Sequence, residues 1–234
     1  MADSGGLTAE ERAYYSLSAR VYTRFAPFYD VVTVPLHQLR REVAQASGCD
    51  RHSRVLDVAT GTGAQAHAFS AMAREVIGVD LSAAMLEVAR RKRSAPNLTY
   101  SRADATALPF GVADFDVCCI SFALHEMPEA VRERVLREMV RVTRPGGTVI
   151  VVDYALPAGA LSRWLVFHAV KLYERDLYAD FVRRDLRGLL ERVGVRVREE
   201  RPRILGAARI VIASKELVAG RVRPSGDAEA TSGS

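Results

Sequence analysis

Residues 8–25 repeat apolar and aromatic positions at helical spacing, and Thr8 followed by Glu11 makes the S/T-x-x-E pattern that opens helices. Pro27 interrupts that run, and a second helix is expected from about Leu36 to Ser47, ending before Gly48. From residue 53 onward the pattern changes. Short apolar runs at 53–58, 75–79, 98–102, 115–120 and 147–153 alternate with longer amphipathic stretches at 64–73, 82–92 and 128–142. That alternation predicts strand–helix units around a parallel sheet, an α/β fold. Pro145-Gly146-Gly147 predicts a turn before the fifth strand. After it come an amphipathic run at 159–175, a helix at 181–193 and two strands near 194–201 and 207–214. The closing stretch from Pro224 is small and polar, and a disordered tail is expected over 216–234.

Composition narrows this picture. The chain has 234 residues, 49% of them hydrophobic, which suits one large domain or a domain with a cap. Three cysteines, Cys49, Cys118 and Cys119, are too few for a disulfide framework and lack zinc-site spacing, so no metal is expected. The formal net charge is +5, and only Lys92, Lys171 and Lys215 are lysines. The arginines alternate with Asp and Glu, as on solvated faces, and are read as compositional habit. No run of apolar residues is long enough to span a membrane, and the start MADSGGLTAEER has no apolar core. The expectation is a cytoplasmic protein.

The most informative segment is VLDVATGTGAQA, residues 55–66. A strand ends there and the chain turns through Gly61 and Gly63 into a helix; Ala66 completes a GxGxx(G/A) pattern. Glycines let such a backbone approach a ligand closely. Asp57, at the strand end, can accept from an ammonium group but would repel a pyrophosphate. Asp80 ends the next strand, where an acid can accept both ribose hydroxyls; it could also cap the helix starting near Ser82. Asp104, after the third strand, can accept from an adenine amino group, with Leu81, Met85, Ala105 and Leu108 as apolar walls. One ammonium acceptor, one ribose acceptor and one base-edge acceptor describe a nucleoside joined to an amino acid without phosphate, which is S-adenosylmethionine or its product. Ala59 and Ser121 are expected in the same site.

These residues carry a resemblance. Asp57-x-x-x-Gly61-x-Gly63, Asp80, DATALPF (104–110), SFALHEMP (121–128) and RVTRPGGTVIVVDY (141–154) resemble, in order, the class I S-adenosylmethionine-dependent methyltransferases. The nearest branch is that of the ubiquinone/menaquinone-biosynthesis C-methyltransferases. The resemblance implies a three-layer, Rossmann-like, seven-stranded sheet, mostly parallel with a reversed last hairpin, and helices on both faces. It suggests that Tyr29, in the FYD segment 28–30, closes over the cofactor. The chain departs from the branch at Ala123-Leu124-His125-Glu126, at Arg144 and at Val152-Asp153-Tyr154-Ala155. The expected organisation is a helical cover over 1–48, a methyltransferase domain over 49–215 with a lid insertion at about 158–182, and the tail.

Methyl transfer needs alignment and exclusion of water, and a base only where the acceptor must lose a proton. His125 is the first candidate base, followed by Asp153 and Glu126. His37, His125, Glu126, Tyr154, Trp164 and Tyr173 are expected to line the acceptor pocket. The aromatic run 161–181 predicts a small, fairly hydrophobic acceptor. Arg163, Lys171 and Arg175 are too few basic residues to argue a membrane surface from sequence. The arginines of 193–214 lack interleaved aromatics, so nucleic acid is disfavoured as a partner. Two other readings of the same residues are a nicotinamide-dependent oxidoreductase and a cofactor-binding sensor or scaffold without turnover.

Overall fold

A computed structural model describes residues 8–9, 11–16, 36–171 and 176–217. Helix α1 covers residues 11–16. Then follow α2 (His37–Ala46), β1 (Arg54–Val58), α3 (Ala64–Ser70), β2 (Glu75–Asp80), α4 (Ala83–Lys92), β3 (Leu98–Arg102) and β4 (Phe115–Ser121). The second half holds α5 (Glu129–Val142), β5 (Thr143–Tyr154), α6 (Ala160–Lys171), α7 (Asp176–Phe181), α8 (Leu186–Arg192), β6 (Val195–Arg203) and β7 (Ala208–Lys215). The strands form one seven-stranded sheet in the order β3-β2-β1-β4-β5-β7-β6. All neighbours are parallel except β7, which runs antiparallel to both β5 and β6.

The sheet is buried on both faces, so its central strands read as continuous apolar runs rather than alternating ones. Alternate side chains feed two cores. Leu56, Val58, Cys118, Ile120 and Val151 pack with Val135, Leu136 and Met139 of α5 and Leu189 and Leu190 of α8. Val55, Val117, Cys119, Ile150 and Val152 pack against Leu39 and Val43 of α2 and Phe69 of α3. These are the outer layers of a three-layer sandwich.

Two sequence expectations change. Pro145-Gly146-Gly147 does not precede the fifth strand but lies inside it. Thr143 pairs with Phe115 and Thr148 with Val117, so Arg144–Gly147 bulges out of a longer strand, with Gly146 at φ +76°. The helix expected over 181–193 starts later, as α8: the preceding helix α7 ends at Phe181, and α8 begins at Leu186, where the Asp185 side chain accepts from the Gly188 amide. No helix among the described residues is long and apolar enough to cross a membrane.

Candidate functional site

Strand order reverses direction between β1 and β4, where one crossover leaves toward β2 and the other toward β5. In such sheets the crevice at the carboxyl ends of these two strands is where ligands bind. A cavity of about 640 Å³ opens there. Both bordering strands end on a non-glycine residue in the left-handed region, Ala59 at φ +53° and Phe122 at φ +51°, and both residues line the cavity. Such backbone is uncommon and concentrates at functional sites.

Asp57 sits on β1 and is fully buried. The Thr60 hydroxyl donates to its Oδ2 at 2.5 Å, while Oδ1 has no hydrogen-bond partner among the described residues. Burial pushes its pKa up to about 7, against the pull of the Thr60 hydrogen bond, the Ala66 amide and the Arg40 charge. A buried carboxylate oxygen with an unspent lone pair at a cavity wall suits a cationic donor.

Asp80 ends β2 and uses both oxygens on backbone. It accepts from the Gly61 amide at 2.8 Å and from the Ser82 amide at 2.8 Å. It therefore ties the glycine turn to the start of α4, where the Ser82 hydroxyl accepts from Met85 as the N-cap. Burial raises its pKa, and the amide bonds oppose the rise. Its carboxylate still lines the cavity and keeps lone pairs for a diol. The two glycines have different reasons. A Cβ on Gly61 would meet nothing, whereas one on Gly63 would lie 2.4 Å from the Tyr100 hydroxyl, with φ at +80°. Gly63 is required by packing beneath the turn, and it does not line the cavity.

Asp104 is oriented from both sides. Its Oδ1 accepts from the Thr106 amide at 2.8 Å and the Thr106 hydroxyl at 2.7 Å, and the Tyr15 hydroxyl reaches it at 3.4 Å. Glu138 of α5 holds the same loop by accepting from the Leu108 amide at 2.8 Å. Leu81, Met85, Ala105 and Ser121 also line the cavity, but Leu108 packs into the core instead.

The candidate acceptor residues divide. Glu126 lines the cavity, as do Phe122, Met127, Val131 and Val135. His125 and Asp153 lie behind that wall, both buried. His125 Nδ1 and Asp153 Oδ1 are 2.7 Å apart. The Asp153 carboxylate also accepts from the amides of Leu124, His125 and Tyr154 at 3.0, 3.3 and 2.8 Å. The pair pins the turn Leu124–Glu126 to β5, and His125 Nε2 lies 3.8 Å from Glu126 Oε1. Tyr154 stacks edge-on against His125 and Tyr178, outside the cavity. His37 is exposed at the start of α2, and Trp164 is exposed on α6 in a separate cleft. Tyr29 and Tyr173 lie outside the described residues.

Sequence reasoning missed several lining residues, among them Arg40, Tyr14 and Tyr15. Arg40 of α2 stands one step around the helix from the buried Leu39 and Val43, lines the cavity, and its charge reaches Asp57. Tyr14 and Tyr15 enter from α1. That helix is held by Glu11, which accepts from Thr8 at 2.6 Å and from Arg134 of α5. These two donors, the Thr8 amide first, take the Glu11 pKa down to about 2. The signal for Arg40 is a cation at the rim of an amphipathic helix, which no local pattern separates from a solvated one.

Residues 55–147 match the family described as a methyltransferase domain. The chain carries a methyltransferase domain. Its match covers β1 to the start of β5, the part that bears Asp57, Asp80 and Asp104. Over a longer span the chain is 33% identical to a demethylmenaquinone methyltransferase of Paenarthrobacter aurescens, covering 75% of this chain and 65% of that protein. It is 38% identical to the demethylmenaquinone methyltransferase of Renibacterium salmoninarum over 59% of each chain. A ubiquinone/menaquinone biosynthesis C-methyltransferase of Pectobacterium carotovorum is 35% identical, over 67% of this chain and 66% of that one. The chain thus spans 59–66% of the length of these relatives. Among solved structures, an SAM-dependent methyltransferase of Aquifex aeolicus superposes with a TM-score of 0.55 at 20% identity, over 74% of this chain and 88% of that one. The [4+2]-cyclase SpnF superposes with a TM-score of 0.59 at 21% identity, over 77% of this chain and 82% of that one. The chain therefore has the seven-stranded methyltransferase fold, and that fold also carries other chemistry.

Proposed function

We propose that the chain is an S-adenosylmethionine-dependent methyltransferase acting on a small, fairly hydrophobic acceptor. The observation that carries this reading is the convergence of Asp57, Asp80 and Asp104 on one cavity at the strand-order reversal. The unspent oxygen of Asp57 fits the ammonium group, the Asp80 carboxylate the ribose hydroxyls, and Asp104 the adenine amino group. Arg40, near Asp57, fits the amino acid's carboxylate. When bound, the cofactor supplies an activated methyl group on sulfur.

The protein's own part is alignment and exclusion of water. Phe122, Met127, Val131 and Val135 offer the acceptor an apolar wall, as a quinone-like or other aromatic ring would need. Glu126 is the carboxylate on that wall, placed to accept a proton from an acceptor that must lose one. His125 and Asp153 act as positioning residues that hold the turn carrying Glu126. Tyr14 and Tyr15 of α1 add two aromatic rings to the cavity lining.

Calorimetry with S-adenosylhomocysteine tests the cofactor assignment directly. Wild type is expected to bind, and Asp80→Ala to bind at least about tenfold more weakly, the loss of a bidentate charged hydrogen bond. Unchanged binding by that variant overturns the assignment. Binding of NADH in place of S-adenosylhomocysteine returns the oxidoreductase reading. Labelled methyl transfer to demethylmenaquinone and to simpler phenols then tests the acceptor class.

A further inference from the structure

We propose that α6 and the turn Ile204–Gly206 form a docking face for an anionic lipid bilayer. Seven large hydrophobic side chains are strongly exposed among the described residues, and five of them lie on these two elements. Leu161, Trp164 and Leu165 of α6 are 73%, 59% and 52% exposed, and Ile204 and Leu205 are 51% and 97% exposed. On α6 the exposed apolar residues Leu161, Trp164 and Leu165 follow the i, i+3, i+4 rule and so share one face, beside the exposed Ser162 and Arg163. Ordinary amphipathic helices turn such a face inward.

The two elements flank one cleft. Trp164 and Gly206 both line it, and a Cβ on Gly206 would lie 3.1 Å from Pro157, in the loop leading to α6. Ile204 and Leu205 both hold left-handed backbone, at φ +52° and +54°, which β-branched and bulky residues avoid. The turn presents Leu205 to solvent against local preference, and no packing among the described residues explains it.

Charge selects the occupant. The cleft is lined by the cations Arg163, Lys171, Arg183 and Arg209 against one carboxylate, Glu200. Arg209 is paired with that carboxylate at 3.1 Å, and Arg183 stacks over Phe167 at 5.0 Å. An apolar stripe flanked by cations matches a headgroup layer of negative lipids. A second copy of this chain fits worse, because a two-fold contact through this face would set the same cations against each other. The turn and the two arginines near it join α6 only through the tertiary structure, which is why the basic residues of α6 alone argue nothing.

Trp164 is the only tryptophan of the chain, so its emission reports this face directly. The full chain is mixed with vesicles of phosphatidylcholine, or of phosphatidylcholine with phosphatidylglycerol. The expected result is a blue shift and co-sedimentation with the anionic vesicles only, weakened by salt. Leu161→Asp with Leu205→Asp is expected to lower the partition coefficient by about tenfold or more, and Lys171→Glu by severalfold, with melting unchanged. These side chains are exposed, so the fold does not depend on them; Lys171→Glu keeps the test open should the double variant misfold. No shift with either vesicle overturns the proposal, as does equal binding to both. A lipid-free dimer that buries Trp164 also overturns it. The experiment uses no cofactor or acceptor, so its outcome is separate from that of the methyltransferase reading.

Discussion

Asp57 shows the conflict between stability and binding at a single side chain. Its pKa rises from 3.8 to about 7 because the folded protein buries it. The folded state therefore keeps its proton longer than the unfolded chain does. Stability linked to this group is full below the unfolded value and falls as pH rises from about 4 to about 7. The shift corresponds to roughly 4 kcal/mol as an upper order of magnitude. Asp57→Asn removes the titration while its amide oxygen can still accept from Thr60. The variant is expected to melt several degrees above wild type at about pH 8, with the difference vanishing near pH 4. It is expected to bind S-adenosylhomocysteine more weakly, and wild-type affinity is expected to rise from about pH 6 to about pH 8 as the carboxylate ionises. A variant that is less stable at high pH contradicts the assigned burial penalty.

The segment between β4 and α5 is held by a polar brace in addition to its own backbone hydrogen bonds, Glu126 amide to Ala123 and Met127 amide to Leu124. Three amides and one imidazole nitrogen converge on the Asp153 carboxylate. Asp153→Ala would strand all four in the interior, and is expected to destabilise by about 2–4 kcal/mol in denaturant titration. His125→Asn separates bracing from proton transfer, since an amide can still donate to Asp153. If His125 only positions Glu126, that variant keeps most turnover and an unchanged pH profile. A large fall in kcat with unaltered melting would make His125 the base. At the amino end of the same region, Glu11 links α1 to α5 through Arg134.

In the whole molecule the sheet is the thermodynamic unit. Cys118 and Cys119 alternate between its two cores on the central strand β4, and Cys49 is buried behind α2. Burial pushes the Cys118 thiol up to about 12 and Cys119 well above its usual value. Buried, protonated thiols do not react. The folded chain is expected to show no labelling by a disulfide reagent at Cys118 and Cys119, with labelling appearing at the rate of global unfolding. Fast labelling of either in native buffer would mean that β4 opens locally. The docking face lies at the other extreme: α6 has Val170 as its one buried residue among those described, so it adds little to this unit.

Much of the fold was legible in residue order, because a parallel sheet covered on both faces demands short apolar runs and its crossovers demand amphipathic ones. β1, β2, β3 and β4 fall within a residue or two of their apolar runs, and the three acids and Gly61 were readable from their positions at strand ends. The bulge at Arg144–Gly147 was not, since Pro and Gly signal a break without saying whether pairing resumes beyond it. Nor was the role of Gly63, which depends on Tyr100 reaching across from β3. His125 and Asp153 looked like cavity residues by motif; only their mutual packing turns them to the interior. Arg40, Tyr15 and the α6 stripe are decided by which surfaces meet. Local pattern records the period and polarity of each element. It holds no information on which face a neighbour covers, because burial is a property of pairs of elements distant in sequence.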